Sequence, residues 1–127
     1  ENDGKIGAVY YYKRTDEGDQ YSSLQKIRPQ DGGSSADEFG GELSVDGKFM
    51  AVGTYEQVNA KVYIFALDDD DIWKKVAKVD APSKNHTYFG TDIELMGDNL
   101  LVSYWGDWMK RNEESFMVCV LRFLRWN

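Results

Sequence analysis

The chain is short of the residues that most small enzymes and metal proteins rely on. Of 127 residues one is cysteine and one is histidine, which excludes a disulfide framework and a thiolate metal cluster. Cys119 stands in "SFMVCVLRF" among apolar neighbours and reads as a buried, inert thiol, since free cysteine behaves as a small hydrophobe. Pairing it with His86 for catalysis would need a strand residue to reach a distant loop, and nothing in the pattern brings them together. No glycine loop followed by Lys-Ser or Lys-Thr offers to cradle a phosphate, and no His-Glu-x-x-His is present. Asp37 and Glu38 are adjacent carboxylates, but neighbours on a strand point to opposite faces. Positive charge is scarce as well: 15 Lys and Arg stand against 22 Asp and Glu, a net −7. That balance argues against nucleic acid or an anionic membrane as partner. It suits an extracellular or cation-rich setting, and equally a plain solvated acidic surface. No apolar run approaches the roughly 20 residues that span a bilayer. A non-catalytic protein without cofactor or metal is the expectation.

Aromatic residues are what the chain has in excess: four Trp, eight Tyr and six Phe. That density favours strands and stacking surfaces over a helical bundle. Length and apolar content fit one ordered domain with a moderate core. The chain begins at Glu1 rather than Met, so it is expected to be processed or cut from something longer.

A repeat organises the rest. Shifted by fifty, "DEFGGELSVDGKFMAVG" (37–53) falls on "TYFGTDIELMGDNLLVS" (87–103). Phe39-Gly40 meets Phe89-Gly90, Leu43 meets Ile93, Val45 meets Leu95, and Met50-Ala51-Val52 meets Leu100-Leu101-Val102. "AKVYIFAL" (60–67) answers "SFMVCVLR" (115–122) after five extra residues in the second copy. It also answers "GAVYYYKR" (7–14), with Tyr21, Leu24 and Ile27 then falling on Trp73, Val76 and Val79. Fixed-period similarity of this length signals a repeat architecture. Each unit reads as four short strands: an alternating strand, a two-residue turn (Asp46-Gly47 or Gly97-Asp98), an apolar strand, and a β-branched and aromatic third strand. The fourth segment, "DIWKKVAKV" (71–79), reads as strand, although Asp71 as N-cap and Ile72, Trp73, Val76 and Val79 on one face also allow a short helix.

Four-stranded units of about fifty residues, with Phe-Gly opening the first strand, resemble the FG-GAP repeat of integrin-α-type β-propellers. The resemblance is carried by "DEFG", "LSVDGKFMAVG", "GAVYYYKR" and "AKVYIFAL", and by "YFG" and "IELMGDNLLVS" in the second copy. It implies an all-β chain of about two and a quarter antiparallel blades, part of a larger propeller. Residues 1–30 would supply the last two strands of a preceding blade, 31–80 a complete blade, and 81–127 a blade lacking its last strand. The family's Gly-Ala-Pro is here Gly53-Thr54-Tyr55 and Ser103-Tyr104-Trp105. The connection that holds the family's calcium loop is a two-residue turn, too short for the six to eight oxygens that wrap the ion.

The resemblance directs attention to the face holding loops 54–59 and 104–114 and the connections 29–38 and 81–88. There "YWGDWMKRNEES" places Tyr104, Trp105 and Trp108 beside Lys110 and Arg111, with Tyr55 on the neighbouring loop. Flat aromatics next to cations are what protein–protein hot spots use. Asn85 opens an Asn-His-Thr glycosylation sequon on the same face. The acidic turns "DEGD" (16–19) and "DDDD" (68–71) belong to the opposite face and read as solvated hairpin tips. The functions to be weighed are an extracellular or lumenal protein-recognition or adhesion module, a structural segment completing a larger propeller or homo-oligomer, and a non-catalytic part of a larger secreted enzyme.

Overall fold

The computed structural model describes residues 7–29, 38–56, 59–83, 87–104 and 118–122, and no helix occurs among them. The strands are β1 (Val9–Arg14), β2 (Tyr21–Ile27), β3 (Phe39–Asp46), β4 (Phe49–Thr54), β5 (Lys61–Leu67), β6 (Trp73–Asp80), β7 (Ile93–Met96), β8 (Asn99–Ser103) and β9 (Val118–Arg122). They form three antiparallel meanders: a first sheet β1-β2, a central sheet β3-β4-β5-β6 and a third sheet β7-β8-β9.

The repeat is carried into the hydrogen-bond ladders. Asp46 pairs with Phe49 and Leu43 with Val52; fifty residues on, Met96 pairs with Asn99 and Ile93 with Val102. Gly40 and Gly90 sit at φ 92° and 90°, and Gly47 and Gly97 at 57° and 56°. Both hairpin loops therefore carry glycine at their first position, where the positive φ of a Gly-X turn is needed. In the first copy the loop is Gly47-Lys48, one residue beyond the Asp46-Gly47 expected, because Asp46 is still paired to Phe49.

β1-β2 repeats β5-β6 just as closely. Val9 pairs with Ile27 and Tyr12 with Ser23; Val62 pairs with Val79 and Phe65 with Lys75. Each ladder has its bulge at the same place, between Tyr11 and Tyr12 and between Ile64 and Phe65, leaving Leu24 and Val76 as the extra residues. A corresponding bulge in both ladders fixes the register of one against the other. The β8-β9 ladder corrects one detail. Ala66 pairs with Phe49 and Arg122 with Asn99. The offset is thus 56 here against 50 upstream, so the second copy's connection is six residues longer, not five.

Burial explains why β6 is a strand. A helix over 71–79 would gather Ile72, Trp73, Val76 and Val79 on one side. The central sheet is covered on both faces, and alternation lets Trp73 pack toward the first sheet while Val76, Ala77 and Val79 pack toward the third. One core joins Val9 and Ile27 of the first sheet to Phe39, Met50, Val52, Tyr63, Phe65 and Trp73. Edge-to-face contacts link Phe39 to Tyr63 at 5.6 Å and to Phe65 at 6.1 Å between ring centroids, a geometry that aromatic pairs favour. The other core joins Ala51, Val62 and Ile64 to Phe89, Ile93, Leu95, Leu100 and Val102 of the third sheet.

Polar contacts lock the sheets together. Gln25 of β2 donates from Nε2 to the Trp73 carbonyl (2.9 Å) and accepts the Trp73 N–H on Oε1 (2.8 Å). Leu95 N–H donates to Ser44 Oγ (3.0 Å), and Gly97 N–H to Asp46 Oδ2 (2.7 Å). Backbones approach closely at Gly53, where a Cβ would lie 2.8 Å from the Gly90 carbonyl oxygen and 2.9 Å from Ile93 Cδ1. Only glycine fits that junction.

Candidate functional site

The strand order puts the connections β4–β5 and β6–β7 at one end of the stacked sheets and the hairpin tips at the other. At the connection end, β4 finishes on Thr54, which is buried and holds the loop ends: its Oγ1 accepts the Lys61 N–H at 2.9 Å and donates to the Lys61 carbonyl at 3.4 Å. The chain then releases Tyr55, whose N–H donates to the Glu38 carbonyl at 3.3 Å.

Tyr55 is 51% exposed, and its ring meets that of Tyr88, with centroids 5.3 Å apart and planes tilted by 39°. Tyr88 adopts φ 53°, a left-handed conformation that is costly for a residue with a Cβ. Its carbonyl is held by Thr91, which donates from both N–H and Oγ1. The two tyrosines thus come from two consecutive units and form one aromatic surface. Nearby, Asn59, Ala60, Lys61, Asp80, Ala81 and Ser83 line an open hollow of about 380 Å³. Such a hollow, flanked by one cation, one carboxylate and a hydroxyl, can take a polar side chain or peptide group.

The expected site residues fare differently. Tyr55 lies on this face. Tyr104 packs inward instead, 8% exposed, among Phe89, Leu100 and Val102, and so serves the core. Trp105, Trp108, Lys110, Arg111 and the sequon residue Asn85 lie outside the described residues. Tyr88 was missed as a site residue; its signal is an aromatic before Phe89-Gly90 where the first copy has Glu38 before Phe39-Gly40.

The tip end is an ion-paired scaffold. Asp68 Oδ1 accepts the Asp70 and Ile72 N–H groups, each at 2.9 Å, and its Oδ2 pairs with Lys74 Nζ at 2.9 Å. The Ile72 N–H foremost, then Lys74, holds the Asp68 carboxyl below its ordinary pKa, and Asp68 in turn raises that of Lys74. Asp71 reaches across to Lys13 of the first sheet at 2.7 Å, and this contact raises the Lys13 pKa. Asp69 lies 3.6 Å from Lys48. The run 68–71 therefore spends three carboxylates on turn closure and on lysines from three hairpins. Among the described residues no three His, Cys, Asp or Glu side chains converge as metal ligands.

No family model matches the chain, and neither a curated protein nor a solved structure matches it significantly.

Proposed function

We propose that this chain is a non-catalytic β-propeller segment of the FG-GAP kind, acting outside the cell or in the secretory lumen as a protein-recognition and scaffold module. The observation that carries this reading is the agreement of the units in backbone: the same ladder registers, the same bulge and the same positive-φ glycines recur along the chain. Repeats of that kind stack to build a rigid body whose loops cluster at one end, and such loops are where binding residues concentrate.

The binding face is the connection end. Tyr55 and Tyr88 supply a flat aromatic pair there, and the strained φ of Tyr88 fits a residue held in place for contact. Trp105, Trp108, Lys110 and Arg111 extend the same chemistry along the chain. Aromatics beside cations recognise protein surfaces by burying area at low entropic cost.

A panel of purified extracellular protein domains, screened by an optical biosensor, tests this reading. One partner is expected to bind, and Tyr55→Ala, Trp105→Ala and Trp108→Ala are each expected to weaken it about tenfold or more with an unchanged circular dichroism spectrum. Binding indifferent to all three substitutions, or no binding across the panel, would overturn the assignment of this face.

A further inference from the structure

The hollow at the connection end is lined by charges that the fold leaves unused. Lys61 and Asp80 are partners in the β5-β6 ladder, so their side chains stand on one face of the sheet with Cβ atoms about 5 Å apart. Opposite charges so placed stabilise a ladder when they meet. Here no ion pair joins them, and neither side chain has a hydrogen-bond partner among the described residues. Both line the hollow instead, together with Asn59, whose carboxamide is equally unengaged among those residues.

The backbone beneath these side chains is fixed. Thr54 Oγ1 holds both the N–H and the carbonyl of Lys61, and Ala60 is buried. Asn59 sits at φ 64°, a left-handed conformation that asparagine visits more readily than most residues. The repeat does not demand this set of side chains. In the first sheet, one rung beyond the Val9–Ile27 pair, the places of Lys61 and Asp80 are held by Ala8 and Arg28. The hollow also belongs wholly to the central unit, away from the outer faces of the first and third sheets.

We infer that this hollow binds a neutral saccharide, through hydroxyls that bridge Asp80, Lys61 and Asn59. The donor and acceptor set selects the class. A hydroxyl both donates and accepts, so neighbouring hydroxyls of a sugar ring satisfy a carboxylate that only accepts and an ammonium that only donates. The Asn59 carboxamide offers both functions to a further hydroxyl. A phosphate or sulfate would gain Lys61 but face Asp80, in a protein of net charge −7. A cation would find a single carboxylate beside an ammonium. An apolar ligand would meet little beyond Ala60 and Ala81. The volume of about 380 Å³ falls within the range of small-ligand sites.

Amide chemical shifts of the full chain, titrated with the methyl glycosides of glucose, galactose, mannose and N-acetylglucosamine, test the inference. At least one of these sugars is expected to shift the amides of Lys61, Asp80 and Ala81 in a saturable way. Asp80→Ala and Asn59→Gly, the second of which tolerates the positive φ, are each expected to weaken that binding about tenfold, as the loss of a good hydrogen bond does. Tyr55→Ala is expected to leave it unchanged. No shift with any glycoside, binding that survives both substitutions, or equal shifts with glycine or sodium sulfate in place of sugar would overturn it. A protein-borne glycan and a free polysaccharide present the same hydroxyls. A glycoprotein carrying the bound sugar and a soluble polysaccharide of it, compared by optical biosensor, separate these two sources. The site shares no residue with the surface of Tyr55 and the tryptophans, so failure here leaves that reading standing, and the reverse also holds.

Discussion

Tyr12 and Phe65 hold the same rung of the same ladder, yet one is 52% exposed and the other 1%. Leu43 and Val45 of β3, 45% and 51% exposed, likewise match Ile93 and Leu95 of β7, at 4% and 5%. In both comparisons the local conformation is the same and only the neighbour differs. β7 of the third sheet rests on β3 and β4, whereas the first sheet offers the central sheet only β1 and β2. A repeat therefore fixes which side chains are built for burial, and the adjoining sheet decides whether burial is realised. Gly53 and Ser103 teach the same lesson in reverse. They are ladder equivalents, but the glycine is needed only where the Gly90 carbonyl closes in.

The largest effect should come from truncating the two equivalent aromatics. Phe65→Ala is expected to lower unfolding free energy in urea by about 3–5 kcal/mol, the usual cost of a buried ring. Tyr12→Ala should cost under about 1 kcal/mol, as exposed positions do; equal losses would break the equivalence of burial with neighbour. Next comes Gly53→Ser, which writes the third sheet's residue into the central sheet. Its Cβ would press on the Gly90 oxygen, and overpacking of this sort costs about 1–3 kcal/mol. Ser103→Gly, on the open face, should cost less than half as much in the same denaturation series.

A comparable loss is expected for Gln25→Ala. It removes both bonds to the Trp73 backbone, leaving that N–H and carbonyl short of partners, at about 1–3 kcal/mol. Gln25→Glu keeps the acceptor but not the donor, and should fall between. The least effect belongs to the tip. Because Asp68 titrates below its ordinary value when folded, its contribution is present above the usual carboxylate pKa near 3.8 and is lost as pH falls through the lower folded value. Asp68→Asn should therefore soften the acid limb of the stability–pH profile. An unchanged limb would mean that the Ile72 N–H and Lys74 do not favour the ionised form.

How far the fold could be read from the residues follows from where the information is local. Alternation in 42–45 and 92–95, glycine in the turns and the fifty-residue offset fixed the strands, their order and the equivalent positions. Segment 71–79 was open to two readings because its four apolar residues satisfy a helical face as well as a strand with one bulge, and only the sheets on either side choose between them. The slips were single residues, in the Gly47-Lys48 loop and in the offset of β9, where no local signal marks the last paired residue. At the candidate site, Tyr55 was legible from its loop. Tyr104, two residues past the apolar run of β8, was expected among the surface aromatics, and its turn inward depends on packing with Phe89, Leu100 and Val102. Tyr88 carries no local mark of its own beside Phe89-Gly90, because its ring contact with Tyr55 arises only where two units meet.

The register of the outer strands bears most directly on the claim that one unit recurs throughout. In solution NMR, cross-strand backbone NOEs should connect Tyr12 with Ser23 and Phe65 with Lys75, while Leu24 and Val76 both stand out of their ladders. A contact map that placed either bulge elsewhere, or slid one ladder by a residue relative to the other, would contradict it.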